Sequence, residues 1–238
     1  WVKTHIFETM EEGKRDILEC AKYLASRGWA EAGAGNISIR TKHAVVNNTN
    51  TIPINYPAEP DLAIYVTKSG SNFRLMAEDD VSSVVVNEDG QNITHGFKQG
   101  KPTSELSTHL LLHSHFVGKN SLAIVHAHLT NLVAATHIFR SEQELNKAIF
   151  CHTEMPLLVP GGIGLVPVIP PGSVDIAQAT LEKIRQGKTC VAWACHGIVA
   201  IADNLLGATN IVEAVEKACE IALKIKSAGG KTIFVGQL

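Results

Sequence analysis

Two histidines separated by one residue, His126 and His128 in Ile124-Val-His-Ala-His128, close an apolar run. In an extended strand the side chains at i and i+2 leave the same face, so both imidazoles can reach one metal ion from one side. A third ligand has to come from elsewhere. His196 is the best candidate, because it ends the apolar segment that starts at Cys190 and is followed by the permissive Gly197. Three neutral imidazoles with one open position make a catalytic zinc arrangement. The spacing alone leaves a second reading equally open, in which the pair is two unrelated polar residues at a strand end. His109 and His113 compete as an i, i+4 pair on a helix face. They flank Leu110-Leu-Leu112 and no Glu completes an HExxH pattern, so they and His115 read as structural or surface histidines. His43, His95, His137 and His152 are isolated and read the same way.

Lys101-Pro-Thr-Ser-Glu105 is a second constellation. The hydroxyls of Thr103 and Ser104, with the free amides of a helix start, suit an anion. Glu105 serves equally as a capping partner or, facing a metal, as a general acid/base. Gly33-Ala-Gly-Asn36 with Ser38, and Ser69-Gly-Ser71, are turns whose amides can converge on a phosphate, although such turns are usually only turns. Glu154 opens the Pro-rigidified stretch Glu154-Met-Pro-Leu-Leu-Val-Pro-Gly-Gly162 and reads first as an exposed loop carboxylate.

These residues need elements to carry them. Apolar periodicity predicts helices over 6–28, 105–118, 131–139, 141–149, 174–186 and 205–227, with Ser173 and Gly187 bounding the fifth. The stretch 31–40 reads as a small-residue loop running into a strand, further strands are expected at 62–67, 81–87, 122–126, 166–169, 190–195 and 198–202, and 43–62 reads as an irregular Asn- and Pro-rich loop. Several strands follow one another directly. A mixed-sheet α/β domain covered by helices is the economical fold.

The chain has 238 residues, 45% of them apolar, with 21 Lys plus Arg against 23 Asp plus Glu. That is enough for a sizeable core, and the balance of charge does not favour nucleic acid as the main ligand. No apolar run reaches the length of a membrane span. The opening WVKTHIFETM lacks the pattern of a secretory leader, and five scattered cysteines without CxxC suit a reducing compartment, so a cytoplasmic location is expected.

In order, GAGNIS at 33–38, VTKSG at 66–70, KPTSE at 101–105, VHAH at 125–128 and CHG at 195–197 resemble the class II aldolase and adducin family over about 20–230. The resemblance implies a single domain over 1–238, a three-layer α/β/α sandwich on a mixed, mostly antiparallel sheet. It implies Zn2+ on His126, His128 and His196, with Glu105 as the catalytic carboxylate beside it. Glu154 falls where a second acid reaches in from an adjacent subunit of a C4 homotetramer. Asn36, Ser38, Ser69, Gly70, Thr103 and Ser104 lie in the segments that hold a phosphate. PTSELSTHLLLH, VHAHLTNLVAAT, VPGGIGLVPVIPPGSVDIAQAT and KSAGG look most like members that cleave L-rhamnulose 1-phosphate to dihydroxyacetone phosphate and L-lactaldehyde through a metal-chelated enediolate. Members acting on L-fuculose 1-phosphate are a second choice. Sugar-phosphate 4-epimerases of the family carry Asp where this chain has Glu105. A dehydratase acting on a thioribulose phosphate has no specific motif here. An adducin-like interaction domain would lack the three histidines.

Overall fold

The structure is a computed structural model and describes residues 10–42 and 50–235. His43 and the first turn of the expected N-terminal helix lie outside the described residues. The chain order is α1 (Met10–Ser26), β1 (Asn36–Arg40), β2 (Asn50–Pro53), β3 (Ala63–Thr67), β4 (Val81–Val86), β5 (Asn92–His95), α2 (Leu106–His115), β6 (Ala123–Ala127), α3 (Thr130–Ile138), α4 (Glu142–Ile149), α5 (Glu154–Leu158), β7 (Gly164–Val166), α6 (Val174–Arg185), β8 (Cys190–Trp193), β9 (Gly197–Ala202) and α7 (Leu205–Ser227).

The described strands form one nine-stranded sheet in the order β2-β5-β4-β3-β1-β6-β9-β8-β7. Every pairing is antiparallel except β7 with β8. Alternation along the strands gives the sheet two buried faces. On one, Ile37, Ile39, Val125 and Ala200 meet α1, α3 and α7 through residues such as Ile17, Leu132 and Val215. On the other, Ile124, Trp193 and Val199 pack on Leu111 and Leu112 of α2 and Ile176 and Leu181 of α6, while Ile64 and Val84 pack on Leu106 and Leu110 of α2. The α/β/α sandwich on a mostly antiparallel sheet is as expected.

Four elements differ from expectation. β2 lies inside the stretch read as irregular; it is an edge strand, where Asn and Pro53 are tolerated because one side of the ladder is free. β5 is a four-residue strand beyond the Asp89-Gly90 turn, too short and polar to show a period. β7 ends at Val166 rather than running to Ile169, because Pro167 has no N–H to give the ladder. Glu154 begins a short helix instead of a loop.

Register brings one set of strand ends together. Asn36 opposes His126, Ala127 opposes Ile198, and Trp193 opposes Gly197. The ends of β3, β6, β7 and β8 and the starts of β1 and β9 therefore share one edge. The loops join there: the Ile37 amide donates to Thr67 Oγ1 (3.2 Å), Thr103 N to Thr67 O (3.0 Å), and Ser69 N to Lys101 O (3.0 Å).

Candidate active site

His126 lies on β6, His128 just past its end, and His196 in the turn between β8 and β9. The three ring centroids are 4.7–5.1 Å apart, and one nitrogen from each ring lies within 4.8 Å of the others. The close approach depends on Gly197: a Cβ there would stand 2.3 Å from the carbonyl oxygen of Ala127. Any side chain would push β9, and His196 with it, away from β6. Cys195, immediately before, adopts a left-handed φ of 61° and turns the chain back.

The donor set fits a divalent cation. His126 Nδ1–H donates to Ile198 O at 2.9 Å, which leaves Nε2 with its lone pair free. His196 Nδ1 is buried without a partner among the described residues. Burial, then the neighbouring imidazoles, holds His126 well below the usual histidine range and His196 down to about 4, so both rings are neutral ligands at pH 7. His128 Nδ1 lies 2.9 Å from Glu31 Oε1, the relation in which a carboxylate orients a metal-binding imidazole. Trp193 walls the cluster, its ring 4.6 Å from that of His126 and 5.1 Å from that of His196, and its Nε1–H donates to Thr180 Oγ1. Neither Glu31 nor Trp193 is recognisable from sequence, because their partners lie far away along the chain.

Glu105 is the residue just before α2 and is only 4% exposed. Its Oε1 accepts from Gly172 N at 2.9 Å, and its buried Oε2 has no partner among the described residues. Burial raises its pKa, outweighing the Gly172 amide. Thr103 is buried while Ser104 is exposed, and Ser69 and Gly70 sit in the turn after β3. Asn36 is buried on β1 beside His126.

Ser38 differs from an open phosphate contact: it is fully buried and its hydroxyl lies 2.6 Å from His109 Nδ1 and 2.8 Å from His113 Nε2. His109 and His113 are core residues. Glu154 is exposed and is not gathered into the histidine cluster; it lines a surface cleft of about 320 Å3 with Arg27, Trp29 and His152.

Residues 15–223 match the family model described as "Class II Aldolase and Adducin N-terminal domain". The chain is 34% identical to a rhamnulose-1-phosphate aldolase of Yersinia pseudotuberculosis over 90% of its length and 86% of the relative's. A rhamnulose-1-phosphate aldolase of Pectobacterium atrosepticum is 32% identical over the same shares. The fold superposes on a sugar-phosphate aldolase from Thermotoga maritima with a TM-score of 0.83 and 33% identity, covering 92% of this chain and 97% of that one. An L-fuculose 1-phosphate aldolase shares the fold at 22% identity with a TM-score of 0.69, covering 95% and 92%.

Proposed function

Since the chain belongs to the class II aldolase and adducin family, we propose that it is a zinc-dependent lyase cleaving L-rhamnulose 1-phosphate to dihydroxyacetone phosphate and L-lactaldehyde. The observation that carries this reading is the convergence of His126, His128 and His196 at the sheet edge that also receives the Thr103–Glu105 segment. The three imidazoles would hold the cation. When bound, it supplies a Lewis acid for the negative charge that develops beside the ketone as the C3–C4 bond breaks.

The rest is work for the chain's own groups. Asn36, Ser69, Gly70, Thr103 and Ser104 border the edge where a phosphate would be anchored, and Ser38 acts only from behind, through His109. An anchored phosphate fixes the reacting bond without taking part in its cleavage. Glu105 would return the proton to C3. Its raised pKa suits a carboxyl that carries a proton, and the Gly172 amide fixes its direction. Glu154 would accept the C4 hydroxyl proton in the site of a neighbouring subunit of a C4 homotetramer. Its exposure, beside the exposed Leu157 and Leu158, supports a role across an interface.

Product analysis by NMR tests the reading. Zinc-loaded protein should release L-lactaldehyde from L-rhamnulose 1-phosphate, and Glu105→Gln should lower kcat by about 10²–10⁴ while zinc stays bound. A C4-inverted sugar phosphate in place of two fragments would mark an epimerase. Full turnover by Glu105→Gln would remove that residue from the chemistry.

A further inference from the structure

Between β1 and α2 runs a buried polar seam in an otherwise apolar interface. Asn36, Ser38 and Arg40 alternate on one face of the strand, and Glu105, just before α2, and His109 and His113 on it recur every fourth residue. The repeats match: two strand residues advance about 6.6–6.8 Å and four helical residues about 6.0 Å. The groups consequently interlock. His109 Nε2 lies 2.6 Å from Asn36 Oδ1, Ser38 Oγ 2.6 Å from His109 Nδ1 and 2.8 Å from His113 Nε2. Arg40 donates to the carbonyls of His113, Phe116 and Lys119 at the far end of α2.

We propose that this seam is a directional hydrogen-bond chain that fixes the Asn36 side chain with its NH2 facing the site, making His109, Ser38 and His113 positioning residues for an anion donor. The inference rests on the reading of Asn36 as part of the phosphate cradle. Each ring has one donor and one acceptor when neutral, and burial drives the pKa of His109 down to about 3 and that of His113 well below the usual range.

One direction then propagates. His113 Nε2–H donates to Ser38, the Ser38 hydroxyl to His109 Nδ1, and His109 Nε2–H to Asn36 Oδ1. The Asn36 Nδ2 group is then left to donate outward. Asn36 opposes His126 in register, so both side chains leave the same face of the sheet. The far end of the seam selects this direction over its reverse. His113 Nδ1 is buried with no partner among the described residues, and the Arg40 guanidinium is near enough to depress His113 further. A bare lone pair is favoured beside that cation. The reverse chain would place a hydrogen on His113 Nδ1, leaving a buried donor unmet and pointing at positive charge. It would also turn the Asn36 carbonyl outward, where it would repel an anion.

The tautomers are read without substrate, from 15N shifts of the zinc-loaded protein carrying 15N-histidine. His109 and His113 should both show a protonated Nε2 and an unprotonated Nδ1; protonated Nδ1 at His109 would overturn the proposal. The function of the chain is read by titrating inorganic phosphate. Ser38→Ala should weaken phosphate binding by about tenfold and raise KM more than it lowers kcat, with zinc content unchanged. His109→Gln can accept at Oε1 and donate at Nε2, so it should keep phosphate affinity near wild type, whereas His109→Leu should lose it. Equal affinity in Ser38→Ala and His109→Leu would overturn the positioning role. Wild-type protein that binds no phosphate would instead remove the cradle reading, which separates the two failures.

Discussion

At the scale of single residues, the Glu31 carboxylate is an informative contact, because nothing in the Ala- and Gly-rich loop around it suggests a role. Its bond to His128 offsets the burial that would raise its pKa and leaves it below the usual carboxylate range. Glu31→Gln is expected to weaken zinc binding by about 10–100-fold, measured by competition with a chromophoric chelator; an unchanged affinity would reduce Glu31 to a surface carboxylate. The His126–His128 pair was legible in the sequence because a period-two strand puts both rings on one side. His109 and His113 were legible only as structural or surface residues rather than ligands, since their partners Asn36 and Ser38 lie about 70 residues away. These two rings carry a pH consequence. Their folded pKa values are depressed, so the unfolded chain binds protons that the native state refuses, and stability present above about pH 6.5 is lost as pH falls. Each contributes a slope on the order of 1.4 kcal/mol per pH unit below that point. His109→Gln should remove about one proton's worth of this slope in denaturant unfolding between pH 6.5 and 4.5, and an unchanged slope would refute the assignment.

At the scale of elements, the turn between β8 and β9 decides whether the three histidines meet. Gly197 was read as permissive from the sequence, and the structure gives the reason, a backbone approach that leaves no room for a Cβ. Gly197→Ala should cost several kcal/mol in unfolding free energy and reduce zinc occupancy together, because the same displacement moves β9 and His196. Loss of stability with full zinc affinity would separate the two. A comparable anchor holds the other side of the cluster. Glu216 of α7 accepts from the amides of Asn131 and Leu132 at the start of α3, three and four residues beyond His128. Long amphipathic elements such as α6 and α7 were visible by their period and caps. The short strands β2 and β5 were not, and β7 was expected at 166–169 but spans Gly164–Val166, because three or four residues carry no period and their pairing is set by neighbours distant in sequence.

At the scale of the whole molecule, one continuous sheet carries all three apolar clusters of the described residues. No helix among the described residues is long and apolar enough to cross a membrane. The architecture explains why motifs scattered from 33 to 197 belong together: antiparallel register returns the ends of β3, β6 and β8 and the starts of β1 and β9 to one edge. The sheet order itself was not readable from local pattern, and the resemblance implied only a mixed, mostly antiparallel sheet. Everything proposed for the reaction depends on a cation at that edge. The most direct test is to titrate zinc into metal-stripped protein while following L-lactaldehyde release from L-rhamnulose 1-phosphate. Product formation should start from nothing and saturate at one zinc per chain; undiminished release from the stripped protein, or none at any zinc concentration, would contradict the account.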